Sequence, residues 1–295
     1  STRTLIINLS KYGLNTNECL VAFDKLGANA VEIIENNPYI LCEGDKRISF
    51  ERVEQIADML PNKPDSKHRI EAGVLYVIRH NYLNGHTCLP LEKIFNPSGE
   101  LLNETRENIE IAVDNLVSNK RLIIERISNK DFVFLPESYI AEKSIASRLK
   151  VLLKFPPENP IDVASHISKI EKKHNIEYAE LQKEAIITAV NKGILILTGG
   201  PGTGKTTTLN GIISMFEKDF LDIALCAPTG RAAQRMTETT GRTATTIHRL
   251  LEVEWGEGDK PVFKRNLRNP LDCQALIIDE MSMVDIFLFS SLLDA

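Results

Sequence analysis

Apolar residues recur at helical spacing through most of the chain, and short all-apolar runs join them after residue 190. Residues 1–65 read as short helices. Leu20, Val21 and Leu26 give the second an apolar side, Pro38 stops the third, and Phe50, Val53, Ile56, Ala57 and Leu60 line a fourth. Asn15 with Glu18, and Asn29 with Glu32, have the spacing of N-cap and N3 pairs, and Ser49 can cap the fourth helix. Pro61 and Pro64 mark a linker. Ile70, Val74, Val77 and Ile78 then predict a helix ended by Gly85, with a short strand at Thr87–Leu89 and a second helix at Leu91–Phe95. Thr105–Asn119 is a third, with Ile109, Ala112, Val113 and Leu116 inward. Arg121–Ile127 and Phe132–Leu135 read as strands around a turn at Ser128-Asn129-Lys130-Asp131.

Three helices followed by a β-hairpin is the winged-helix order, in which the third helix of a DNA reader enters the major groove. Here that helix carries Glu107, Glu110 and Asp114, which repel a phosphate backbone. A structural or protein-contacting role is favoured. Residues 138–175 read as a helical connector. Ile145, Leu149, Leu152 and Leu153 form a stripe expected in a core, and Lys169, Lys172, Lys173 and His174 a solvated face.

From residue 176 the pattern changes. Leu181, Ala185, Ile186, Ala189 and Val190 define a helix leading into Ile194-Leu195-Ile196-Leu197-Thr198, an apolar run expected to be a buried parallel strand. A glycine-rich loop follows, and then a helix with Leu209, Ile212, Ile213 and Phe216 on one face. Gly199, Gly204, Lys205 and Thr206 fit G-x-x-x-x-G-K-[ST]. Glycines let the backbone bend until several N–H groups point at one phosphate, and the helix start adds the positive end of its dipole. Gly200, Gly202, Thr203, Gly204, Lys205, Thr206 and Thr207 are therefore the candidate ATP cradle. Lys205 can reach the β- and γ-phosphates, and the Thr206 hydroxyl can ligate Mg²⁺.

Two further strand ends carry chemistry. Ile223–Cys226 runs into Thr229-Gly230-Arg231, where ligands bind in open α/β sheets; these residues can hold the backbone of a single strand, or Arg231 is simply a solvent-facing residue of a helix start. Leu276–Ile278 ends in Asp279 and Glu280. Asp279 is suited to Mg²⁺ through its water shell, and Glu280 to polarising the water that attacks the γ-phosphate. Gln182, ahead of the loop, offers a donor and an acceptor to an adenine edge or is a surface residue. His248 can touch nucleic acid or orient a loop.

Composition narrows the class. Of 295 residues, 43% are hydrophobic and 25% charged, ordinary for a globular protein. No apolar run is long enough to span a bilayer, and no signal-peptide pattern opens the chain. Cys19, Cys42, Cys88, Cys226 and Cys273 are scattered without a C-x-x-C pair and read as reduced thiols of a cytoplasmic protein. The net charge of −5 leaves no broadly basic module, so nucleic acid would be held by local groups in a groove.

Gln182, Gly-Gly-Pro-Gly-Thr-Gly-Lys-Thr-Thr-Thr (199–208), Ala-Pro-Thr-Gly-Arg-Ala-Ala (227–233), Thr-Ile-His-Arg-Leu-Leu (246–251) and Ile-Asp-Glu-Met-Ser-Met-Val-Asp (278–285) together resemble the RecD family. These are superfamily 1 DNA helicases that include the exodeoxyribonuclease V alpha subunit and its stand-alone relatives. The resemblance implies an α/β RecA-like P-loop domain over 176–295, here with a partial parallel sheet. A helix-hairpin-helix-like module (1–65), a winged-helix-like module (66–137) and the connector (138–175) precede it. The likeness in the first module lies in its order of short helices around Asn37-Pro38-Tyr39; Lys46-Arg47-Ile48-Ser49-Phe50 lacks the glycines of the phosphate-holding hairpin, so a packing module and a DNA grip stay equally open. The resemblance also implies ATP-driven 5′ to 3′ movement on single-stranded DNA, in recombination and repair. It puts Gln182 on adenine and Thr229, Gly230, Arg231 and His248 on DNA, with subunits of a nuclease complex as further partners.

The sequence stops soon after Asp285, before the family's Gly-Asp-x-x-Gln segment, its second motor domain and the strand that enters the sheet between the phosphate-loop strand and the Asp-Glu strand. The expectation is a fragment whose sheet has exposed edges. A non-enzymatic DNA-binding or subunit-docking module with a nucleotide switch is the alternative; a clamp-loader ATPase is disfavoured by the Thr-Ile-His and Ala-Pro-Thr-Gly-Arg-Ala-Ala segments. The 295 residues are expected to bind ATP weakly and not to unwind DNA alone. An ATPase assay with single-stranded DNA checks this, and robust stimulated turnover overturns it.

Overall fold

Capping fixes where the early helices begin. In a computed structural model, which describes residues 2–158, 162–219, 221–256 and 260–295, α1 (Thr2–Ser10) is followed by α2 (Thr16–Leu26). Asn15 opens α2 with the expected reciprocal pair: its Oδ1 accepts from Glu18 N at 2.9 Å, and Glu18 Oε2 accepts from Asn15 N at 2.8 Å. The matching expectation for Asn29 fails. Asn29 lies in a 3₁₀ turn (Gly27–Asn29) at φ −90°, ψ 9°, so it lacks the extended backbone of an N-cap and makes no side-chain cap ahead of α3 (Ala30–Asn36). Pro38 opens a second 3₁₀ turn, and Ser49 caps α4 (Phe50–Asp58) through Arg52 N at 3.3 Å.

The chain divides into two compact units, one running to Tyr139 and one from Ile140. The first continues with α5 (Ser66–Tyr82), β1 (Leu89–Pro90), α6 (Glu92–Leu102), α7 (Arg106–Ser118), β2 (Ile123–Ile127) and β3 (Lys130–Phe134). The strands form an antiparallel sheet in the order β1-β3-β2. The expected four-residue turn is tighter than read: Ser128 and Asn129 both take positive φ, making a two-residue connection that frees Lys130 and Asp131 to pair in the ladder. The helix expected to stop at Phe95 runs on to Leu102, with Pro97 inside it. The buried residues on both sides of the proline linker share one core, from Leu5 to Leu135. Polar bonds cross the same seam, Arg69 to Glu54 at 2.9 Å and Arg121 to Glu43 at 2.6 Å.

The second unit begins within α8 (Pro136–Lys154) and holds α9 (Val163–His174), α10 (Glu180–Asn191) and α11 (Lys205–Lys218). The α8 stripe is not core. Ile145 and Leu149 are half-buried, and Leu152, Leu153 and Phe155 are exposed. Then come β4 (Ile223–Ala227), α12 (Gly230–Thr240), β5 (Ala244–Thr246), α13 (Ile247–Leu250), the antiparallel pair β6 (Val253–Trp255) and β7 (Pro261–Phe263), β8 (Ala275–Ile278) and α14 (Ile286–Asp294). The parallel sheet has the order β5-β4-β8, with Leu225 opposite Ala244 on one side and Ile277 on the other. Leu225 packs under Ile213 and Met236, and Cys226, on the other face, under Ile247, Leu288 and Leu292.

Two readings are corrected here. Ile194–Thr198 is not a strand, and Ile196 is 85% exposed. Among the described residues no backbone pairs with the run, and the outer edge of β8 is also left open. Leu181, read as part of the buried face of α10, is 78% exposed.

Glu18 also accepts from Arg52 Nε at 2.7 Å and Nη2 at 2.9 Å. These bonds, more than its bond to Asn15 N, hold its carboxyl below the ordinary value. Its contribution is therefore complete above the ordinary carboxylate range and disappears as pH falls through the lowered value. Glu18→Gln is expected to cost on the order of 1 kcal/mol at neutral pH. Urea unfolding at neutral and acid pH checks both the cost and its loss in acid.

Candidate functional site

Backbone geometry, more than side-chain choice, shapes the loop before α11. Gly202 and Gly204 take positive φ (76° and 83°), where residues with a Cβ are strained. Among the described residues no heavy atom lies within 4 Å of where a Cβ on Gly202 would stand, so the loop is open at that point. At Gly199 a Cβ would come within 2.7 Å of Thr203 Oγ1, the hydroxyl that donates to Gly200 O at 2.8 Å. The Lys205 ammonium donates to the carbonyls of Gly199 and Gly200, the latter at 2.8 Å. Thr206 and Thr207 are exposed at the start of α11.

Gln182 meets this loop. Its Oε1 accepts from Ala179 N at 2.9 Å, closing the first turn of α10, and its Nε2 donates to Gly204 O at 3.2 Å. Ala179 N–H can face only the oxygen, and Gly204 O only the amide NH₂, which fixes the orientation. Both ends of the amide are thus engaged within the protein. Thr208, a residue the loop pattern leaves unspecified, donates to the same carbonyl from its N–H and its hydroxyl, each at 3.0 Å.

The two acids follow β8. Asp279 N donates to Cys226 O at 3.0 Å, which extends the β4–β8 ladder by one bond. Asp279 Oδ1 accepts from Glu280 N at 2.9 Å, and Glu280, at φ 53°, turns out to solvent. Because Cys226 pairs with Ile278 in parallel register, these acids and the C-terminal end of β4 lie at the same end of the sheet. Among the described residues no hydrogen bond or ion pair joins Lys205 to Asp279 or Glu280. No group of three or more His, Cys, Asp or Glu with metal-holding spacing occurs among them either. The loop itself suits a polyphosphate, since it offers a helix start and an exposed Thr206 hydroxyl.

At the end of β4, Thr229 caps α12 by accepting from Ala232 N at 3.2 Å. Arg231 is exposed without a partner among the described residues, and a Cβ on Gly230 would meet nothing within 4 Å. His248 sits on α13 with its ring 6.0 Å from that of Phe263. Among the described residues Thr245 Oγ1 is buried without a partner; Arg249, which lies in the quoted 246–251 segment, is exposed.

The comparisons match both units. Residues 1–88 fit the family described as the ATP-dependent RecD2 DNA helicase HHH domain, and residues 182–295 fit an AAA domain. The ATP-dependent RecD2 DNA helicase of Deinococcus radiodurans is 31% identical, over 99% of this chain and 41% of its own length. The chain belongs with the RecD-like helicases. The RecBCD enzyme subunit RecD of Buchnera aphidicola is 29% identical, over 72% of the RecD-like chain and 40% of its own length. That of Mycolicibacterium smegmatis is also 29% identical, over 56% and 32%. The chain thus spans about two-fifths of the first two relatives.

A Cβ at Gly204 would lie 2.5 Å from Gln182 Nε2. The amide can swing away, but the positive φ stays strained, at about 1–3 kcal/mol. Gly204→Ala is expected to weaken Mg–ATP binding at least ~10-fold, measured by titration with a fluorescent ATP analogue.

Proposed function

We propose that this RecD-like chain is the nucleotide-binding part of an ATP-dependent DNA helicase that moves 5′ to 3′ along single-stranded DNA in recombination and repair. The observation that carries the reading is the open glycine cradle at the start of α11, with a strand-end Asp-Glu pair in the same unit. In this reading the N–H groups of Gly200 and of residues 202–207 hold the polyphosphate, and the Lys205 ammonium exchanges its two loop carbonyls for phosphate oxygens. Thr206 and Asp279 hold the magnesium ion, which neutralises phosphate charge when bound. Glu280 orients the attacking water and takes its proton. Gln182 gives up one of its two bonds to meet adenine.

Thr229 serves the DNA by fixing the start of α12, an eleven-residue helix whose first N–H groups then face a backbone phosphate beside Gly230 and the unpaired Arg231. His248 lines the same strand. Residues 1–65 form the helix-hairpin-helix-like module. Residues 66–137 form the winged-helix-like one, in which the exposed Glu107, Glu110 and Asp114 of α7 turn that helix toward protein partners. Among such partners are subunits of a nuclease complex, since two of the relatives are RecBCD subunits by name. Among the described residues no helix is long and apolar enough to cross a membrane, and a cytoplasmic setting completes the reading.

One observation favours the second reading, a nucleotide switch without turnover: the Ile194–Thr198 run stands outside the sheet that should stiffen the loop. Two variants separate the readings. Lys205→Ala is expected to weaken Mg–ATP binding at least ~10-fold. In the protein extended by a second motor domain, Glu280→Gln is expected to keep binding while lowering DNA-stimulated hydrolysis by ~100-fold or more. Unchanged binding in Lys205→Ala overturns the nucleotide site. Hydrolysis absent in that extended protein as well, with binding intact, leaves the switch.

A further inference from the structure

The residue that matters most here is Gln182, whose side chain bonds to two backbone groups of the chain. The peptide between Gly204 and Lys205 is planar, with its carbonyl oxygen and its N–H on opposite sides. Fixing the Gly204 carbonyl therefore fixes the direction of the Lys205 N–H, one of the donors at the start of α11. Three donors converge on that oxygen: Thr208 N and Thr208 Oγ1 at 3.0 Å each, and Gln182 Nε2 at 3.2 Å. Two of them belong to α11 itself and move with it. Gln182 is the one that ties the loop to another element.

That element is firmly held. A Cβ on Gly211 of α11 would come within 2.7 Å of Ile186 Cδ1 and 2.8 Å of the Tyr178 hydroxyl, so α10 and its approach cross α11 almost backbone to side chain. Tyr178 is buried, its N–H donates to Glu171 Oε1 at 2.9 Å, and Lys183 reaches the same carboxylate at 3.4 Å. Gln182 lies one turn before Ile186 and is braced by its bond to Ala179 N. The amide thus reaches the loop from a support that is fixed at three points.

We infer that Gln182 is a positioning residue of the phosphate loop. By holding the Gly204 carbonyl it aims the Lys205 N–H into the cradle, so that it governs affinity for the polyphosphate itself, independently of the base. This rests on the nucleotide-site reading above and deepens it. A residue that only meets adenine makes no difference to a ligand without a base; a residue that sets the loop affects that ligand too.

The test uses two probes, Mg–ATP and Mg–tripolyphosphate, titrated to millimolar concentration against the 295-residue chain. Gln182→Glu keeps the acceptor for Ala179 N but sets an oxygen against the Gly204 carbonyl. Gln182→Asn keeps the amide but is one methylene too short to reach it. Both variants are expected to lose affinity for tripolyphosphate about tenfold, and for ATP by at least the same factor. Should Gln182→Glu fail to fold, as judged by its melting curve, the Gln182→Asn comparison decides. Loss of ATP affinity with tripolyphosphate binding unchanged overturns the inference and leaves Gln182 at the base alone. A wild-type chain that binds neither probe overturns the nucleotide-site reading instead.

Discussion

The close crossing of α10 over α11 is the constraint on which the site depends. It exists because Gly211 has no side chain where Ile186 and the Tyr178 ring press in. Replacing that hydrogen by a methyl group would push the two helices apart, and the amide of Gln182 would no longer span to Gly204. The helix start, the loop carbonyl and the supporting helix are thus one mechanical unit. The sheet contributes as well, through Leu225 of β4, which packs with Ile213 of α11 and Met236 of α12. Close packing of this kind transmits small displacements rather than absorbing them.

Much of this was legible in the residues. The apolar faces of α4, α5 and α7 are buried at the positions their spacing gave, because amphipathic periodicity encodes which side turns inward. The glycine loop and the Asp-Glu strand end were legible for a different reason, since backbone conformation and ligand chemistry together leave few residue choices. What failed were readings that need a neighbour. The run at 194–198 has a strand's composition, yet a strand exists only when another backbone pairs with it. Leu152, Leu153 and Leu181 have a helical spacing that shows a preferred side without telling what covers it. Asn29 has a cap's chemistry on a backbone that has already turned. The bond from Gln182 to Gly204 was beyond reach as well, since no pattern joins residues 22 apart in sequence.

The first unit follows a different logic. Its core is continuous across the proline linker, and the ion pairs at Arg69–Glu54 and Arg121–Glu43 lie over that core at the seam. Partly exposed pairs of this kind add little stability but constrain geometry. They select one arrangement of two apolar surfaces that could otherwise slide.

Cys226 lies in the middle strand, next to the carbonyl that receives the Asp279 N–H, under the apolar cover of α13 and α14. Burial pushes its thiol up to about 12, so the sulfur stays protonated and inert while that cover is closed. The acid-bearing end of the sheet thereby contains its own chemical clock: the pace at which an alkylating reagent consumes this thiol records how often α14 lifts from the strands beneath it.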